Sequence, residues 1–180
     1  MPNHVYNSVN FTGSDKDLSI IQKKLSMPRP GDTESNYFNF ENLIAPSDLD
    51  WYTEDANWYD WNIANWGTKW NAYDVNMVDP WEEDQPLHYN FTTAWSPPEP
   101  VMLLLVEFMV SRKLDVTMTW YYEEEQGWGA EYLYTLAGGL KLVEEWDIPS
   151  THEEYTRRGG ECYCMQGEAA IYDDCPVGEL

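Results

Sequence analysis

The chain has 180 residues, with 32 acidic side chains against 10 basic ones and a formal net charge of -22. A charge of that sign excludes a general nucleic-acid binder, because phosphate contact relies on Lys and Arg, and it argues against an anionic membrane surface as partner. Ten tryptophans and 16% aromatic residues exclude a disordered acidic chain, and the length fits one domain with a sizeable core.

The opening MPNHVYNSVNFTG lacks the basic n-region and long apolar h-region of a signal peptide. Residues 5 to 12 alternate, with Val5, Val9 and Phe11 on one face, and predict a strand. Gly13 ends it and Ser14 caps a helix, with Asp17 in a capping-box-like position and Leu18, Ile21 and Leu25 as the buried stripe. MPRPGDTESN is a loop. NYFNFENLIAP predicts a second strand, with Phe38 and Phe40 on one face and Pro46 closing it. Residues 47 to 68 have short helix or loop character and no clean period.

After Gly67, WNAYDVNM and LHYNFTTAW alternate on either side of the acidic connector VDPWEEDQP, which predicts a hairpin with a long loop. SPPEPVMLLLVEFMVSRK starts as a helix should, with prolines and Glu99 in the first turn and Arg112 and Lys113 in the last. Its centre is apolar nearly all round, which predicts deep packing. Its run VMLLLV is far too short to span a bilayer. LDVTMTWYY and AEYLYTL are strands about the acidic turn EEEQGWG, and LKLVEEW is a last strand. This order predicts an α+β fold: a ferredoxin-like antiparallel sheet with two helices on one face, a Trp-rich insertion at about 47–70 and extra C-terminal strands. The expected domain is 1–147, followed by a polar, Cys-containing tail, 148–180.

The opening MPNHVYNSVNFTG, the block WNIANWGTKWNAYD and FTTAWSPPEPV together resemble, in order and spacing, the YubB-like proteins of plasmids, phages and genomic islands. The resemblance covers about residues 1 to 140. It implies a ferredoxin-like domain and a mobile-element origin, hence a bacterial host cell, and it transfers no catalytic residue.

Other constellations are weak. The stretch WYDWNIANWGTKWNAYDVN gathers Trp58, Trp61, Trp66 and Trp70 around Lys69, its lone basic residue. Indoles bury large area with one hydrogen-bond partner each, so they read mainly as structural, with Lys69 paired to a nearby carboxylate. The other reading is a cleft with Lys69 and Asp74. Ser96 has no nucleophile-elbow glycines, and His4, His88 and His152 are scattered. Asn10-Phe11-Thr12 and Asn90-Phe91-Thr92 match the glycosylation sequon but read as chance without a secretory signal. Cys162, Cys164 and Cys175 with His152 offer a Cys3His zinc set, but the single-residue spacing is uncommon for structural zinc. Reduced thiols, no metal and no cofactor are the expectation, which fits the cytoplasm.

The acidic excess is global on a fold stiffened by aromatics. A rigid body studded with carboxylates can imitate nucleic-acid phosphates and be attracted fast to a basic channel; adaptation to a saline habitat is the plainer explanation. The leading expectation is a non-enzymatic inhibitor of the anti-CRISPR or anti-restriction type, a nucleic-acid mimic. Its partner would be the basic nucleic-acid-binding surface of a host defence protein. The expected partner-binding residues are Glu82, Glu83, Asp84, Glu123, Glu124 and Glu125, in two turns taken as exposed. A small-molecule or carbohydrate-binding protein using the Trp58–Asp74 cleft, with carboxylates for acid–base work, is the second reading.

Overall fold

The structure, a computed structural model, describes residues 3–27, 37–47, 57–78 and 86–148. In chain order the elements are β1 (His4–Gly13), α1 (Asp15–Ser26), a 3-10 turn (Phe40–Asn42), α2 (Trp58–Trp66), β2 (Tyr73–Val78) and β3 (Leu87–Ala94). They continue with α3 (Glu99–Arg112), β4 (Val116–Glu124), β5 (Gly129–Thr135) and β6 (Gly139–Trp146). One six-stranded sheet runs in the order β2-β3-β1-β4-β5-β6, and every neighbouring pair is antiparallel. Strands β1 to β4 with α1 and α3 form the βαββαβ core of a ferredoxin-like fold. β5 and β6 extend it on the β4 side.

The helices cover one face of this sheet. Val5, Val9 and Phe11 of β1, Tyr89 and Phe91 of β3, and Met118 and Trp120 of β4 point into that layer. They meet Leu18, Ile21 and Leu25 from α1 and Val101, Met102, Leu105 and Met109 from α3. Asn7 is buried among them. Its Nδ2 donates to the Val5 carbonyl and the Thr93 hydroxyl, and its Oδ1 accepts from Trp120 Nε1 at 3.1 Å. All its strong hydrogen-bonding groups are used, as a buried amide requires. The Ser14 cap holds too: its hydroxyl accepts from the Asp17 amide.

Two expectations change. Residues 37–46 do not form a strand. Phe38 and Phe40 are both buried, as their alternation suggests, but the backbone around them bonds to the Leu25 carbonyl, to its own 3-10 turn and to side chains, not to a ladder. The Asn39 amide oxygen accepts from the Glu41 N–H, and the Asn71 amide oxygen accepts from the Phe40 N–H. The short helical character expected in the Trp-rich insertion is α2, which packs against α3. And α3 is not packed all round, since Leu103 and Val110 are exposed. Only one side of that helix meets the sheet.

Helix α3 ends at Lys113, whose φ of 54° is left-handed. The next amide, that of Leu114, donates to the Met109 carbonyl. Glycine adopts this conformation without the side-chain clash. Lys113→Gly should therefore stabilise the fold by about 0.5 kcal/mol, after the glycine entropy is subtracted. A raised midpoint in urea with unchanged slope would show it; a lowered midpoint would contradict it.

The helix-side phenols give a pH expectation. Burial, followed by the neighbouring Tyr132, Glu99 and Glu145, pushes the Tyr122 phenol well above its ordinary range. Burial likewise raises Tyr132 and Tyr134. These groups hold their protons in the folded state at a pH where the unfolded chain has released them. Stability should then be level up to about pH 10 and fall above it. Thermal melts across alkaline pH, with phenolate absorbance followed in parallel, check this. A melting temperature that rises above pH 10 would contradict it.

Candidate functional site

The face of the sheet turned away from the helices is open, and its side chains fall into cross-strand rows. One row runs Tyr73, Thr92, Tyr6, Glu123, Gly129 and Trp146 from β2 to β6; the next runs Asn76, Asn90, Ser8, Tyr121, Glu131 and Glu144. Tyr6 and Tyr121 are exposed. Between them, with Asp74 and Asn90, lies an open hollow of about 300 Å³. The Tyr121 hydroxyl donates to the Glu123 carboxylate. Trp146 lies over Gly129, where an added Cβ would come within 2.8 Å of the indole and 2.2 Å of the Tyr122 carbonyl. It also packs on Tyr121 at 5.4 Å between ring centroids. The surface is thus aromatic, polar and acidic.

Its electrostatics are one-sided. Glu131 on β5 stands directly opposite Glu144 on β6, and Glu123 lies one row away. Among the described residues no ion pair engages Glu123, Glu131 or Glu144. Like charges placed opposite one another in a sheet are destabilising. The cations of the described helices, Lys16, Lys23 and Lys24 on α1 and Arg112 with Lys113 closing α3, belong to the helix layer. Among the strands only Lys141, paired with Leu133 two rows from Glu123, puts a cation on the open face.

At the end of the sheet where β3 finishes, the aromatic block forms a second feature. Trp66 is 1% exposed, while Trp58 and Trp70 are 43% and 40% exposed, so Trp70 is not the core residue its setting suggests. Lys69 pairs with no carboxylate among the described residues. Its ammonium lies 4.6 Å from the Trp70 ring and 4.9 Å from that of Trp95, an arrangement held by the ring quadrupoles. Trp95 has a φ of 75°, rare for a bulky residue and a mark of local strain. Gly67, at φ 77°, closes α2; an added Cβ would meet Pro100 at 2.8 Å. The Ser96 hydroxyl donates to the Gly67 carbonyl, tying this turn to the start of α3.

The acidic residues singled out from the sequence separate. Glu123 lies on the open face and is half-buried; Glu125 is exposed at the strand end, 4.0 Å from the His4 ring. Glu124 faces the helices and is 2% exposed, with its carboxylate accepting from the Gln126 amide at 2.6 Å. Strand β4 continues through residue 124, so alternation turns Glu124 inward with Trp120 and Tyr122. It is not an exposed turn residue. Glu82, Glu83 and Asp84, like Cys162, Cys164, Cys175 and His152, lie outside the described residues. Glu131 and Glu144 were not foreseen, because their meeting depends on the β5–β6 register. Asp74 belongs to the open-face hollow, not to the Trp pocket. His4 and His88 make local contacts, to the Tyr73 hydroxyl at 2.5 Å and the Ser8 hydroxyl at 3.0 Å. Among the described residues no group of His, Cys, Asp and Glu could hold a metal ion, and no helix is long and apolar enough to cross a membrane.

The family described as the ferredoxin-like domain in Api92-like protein matches residues 65–173. The chain belongs to this family. The match runs from the end of α2 through β6 and on past residue 148, so it takes in part of the stretch expected to be a separate tail. The crystal structure of the protein Api92 from Yersinia pseudotuberculosis is similar at a TM-score of 0.57 and 10% identity, over 84% of this chain and 99% of that one. At that identity the likeness speaks for the ferredoxin-like fold. No curated protein matches the Api92-like chain.

Proposed function

We propose that this Api92-like protein is a non-enzymatic binding protein whose open sheet face docks on a basic, nucleic-acid-handling surface of another protein. The observation that carries this reading is the opposed pair Glu131 and Glu144 with Glu123 nearby, none of them in an ion pair with a described residue. Such an arrangement costs stability when the protein is alone. It becomes favourable when Arg or Lys side chains arrive from a partner. Tyr6, Tyr121 and Trp146 add rigid aromatic area of the kind that anchors interfaces.

The partner class follows from the same chemistry. A surface that normally holds phosphates presents Arg and Lys in number, and carboxylates take the phosphates' place. The YubB-like resemblance, with its mobile-element setting, supports a host defence protein as that partner and an anti-CRISPR or anti-restriction outcome in the bacterial cytoplasm. Glu82, Glu83, Asp84 and Glu125 extend the acidic side of this reading.

The test is capture from host lysate on the immobilised chain, with a charge-neutral control. E123Q/E131Q/E144Q keeps shape and removes three charges. A nucleic-acid-binding protein retained by the native chain and lost by the variant supports the reading. Retention of the same proteins by both overturns it.

A further inference from the structure

The hollow of about 300 Å³ on the open face is walled by Tyr6 and Tyr121, with Ser8, Asn90, Thr92 and Asp74 in its lining. The two tyrosines stand on adjacent strands in neighbouring rows, and both rings are exposed. Asp74 reaches the hollow through a bulge. Tyr73 stands opposite Thr92 on the open side, so regular alternation would turn Asp74 toward the helices. The β2–β3 register shifts between Tyr73 and Asn76, Asp74 takes a left-handed φ of 51°, and the residue lines the hollow instead. Bulges re-aim side chains in this way.

The unused bonding groups decide what fits. Among the described residues, the side chains of Asp74, Asn90 and Tyr6 have no hydrogen-bond partner, and all three residues are exposed. Asp74 has no ion pair with a described residue either. The Ser8 hydroxyl is already engaged with His88 Nε2 at 3.0 Å. Glu123 stands beside Tyr6 in its row and accepts from the Tyr121 hydroxyl, which adds negative charge at the rim. An occupant therefore has to bring donors, positive charge and a flat surface. A guanidinium carries five N–H donors in a plane that stacks on aromatic faces, whereas an ammonium carries three donors and no plane. A nucleotide would bring a flat ring, but its phosphate is repelled by Asp74 and Glu123.

We propose that this hollow receives an arginine side chain of the docking partner, its guanidinium lying against the tyrosine rings and donating to the Asp74 carboxylate. The inference rests on the docking-face reading and narrows it: the partner is recognised through an arginine, not through positive charge alone. The volume lies at the small end of ligand sites, in keeping with one side chain. Arginines seated in this way on aromatic rings are frequent anchors of interfaces.

Two-dimensional NMR of the full chain tests this, titrated with three capped tripeptides that place arginine, lysine or citrulline between glycines. Citrulline keeps the outline of arginine and removes its charge. The arginine peptide should shift the Asn90 side-chain amide and the signals of Tyr6 and Tyr121, and should bind at least several-fold more tightly than the lysine peptide. The citrulline peptide should leave those signals in place. Asp74→Asn, which tolerates the left-handed backbone, and Tyr6→Leu should each weaken arginine binding at least several-fold with native circular dichroism. Glu107→Gln, an exposed charge on α3, should not. Equal binding of the arginine and lysine peptides, no response at these residues, or unchanged binding in Asp74→Asn overturns the proposal. Lysate capture separates the two readings. A hollow that fails with the peptides while capture still depends on Glu123, Glu131 and Glu144 removes the arginine site alone, and a hollow that binds arginine while capture fails removes the docking partner alone.

Discussion

Trp66→Ala should destabilise the protein by roughly 3–5 kcal/mol, the range for truncating a large core aromatic. The indole is 1% exposed and makes edge-on contacts with Phe40 and Trp61 at 5.9 and 5.4 Å. Its N–H bond to Ile44 is lost in the same change. For a domain of this size the melting temperature should drop by about 10 °C. Trp70→Ala is the control. That ring is 40% exposed, and its main fixed contact is the Lys69 ammonium, worth about 0.5–1 kcal/mol at an exposed site. Urea denaturation of the two variants side by side measures the difference. Equal losses would mean that the two indoles share one buried cluster, contrary to the packing described here.

The second large effect concerns association. E123Q/E131Q/E144Q should fold at least as stably as the native chain, because it removes the opposed Glu131–Glu144 charges. Its association rate with a captured basic partner should nevertheless fall about tenfold at low salt, since surface charge acts mainly on the on-rate. The gap should close as salt rises, with exposed charges screened beyond about 10 Å at 0.1 M. Stopped-flow or biosensor kinetics at several ionic strengths read both effects. Glu124→Gln should not reproduce the kinetic change, because Glu124 faces the helices. A triple variant that associates as fast as the native chain would remove the open face from the binding event.

Much of this fold was legible because its signals are local. Val5, Val9 and Phe11 alternate within one strand, Leu18, Ile21 and Leu25 repeat along one helix, and Ser14 caps its own first turn. The error at residues 37–46 has a non-local cause. Phe38 and Phe40 carry a strand's alternation, but the backbone there bonds to the Leu25 carbonyl, to its own turn and to the side chains of Asn39 and Asn71, the last 31 positions from Phe40. Trp66 and Trp70 look alike in a string of indoles. What separates them is the left-handed turn at Gly67, which sends the chain from the core side of α2 to the surface.

The candidate site was less legible. That β4 extends through Glu124 was readable in principle, and alternation would then have put Glu123 outside and Glu124 inside. Glu131 and Glu144 could not be paired from sequence, because the β5–β6 ladder shifts register between Glu131 and Tyr132. A one-residue slip in a strand reverses which face every side chain occupies.

The most direct measurement is competition on the captured partner. The partner is loaded with its own DNA or RNA, the Api92-like chain is added, and bound nucleic acid is followed by fluorescence anisotropy. If the open face stands in for phosphates, the chain displaces the nucleic acid, displacement weakens steeply as salt rises, and E123Q/E131Q/E144Q displaces far less. A stable ternary complex of partner, nucleic acid and chain, with affinity indifferent to salt, would contradict the account.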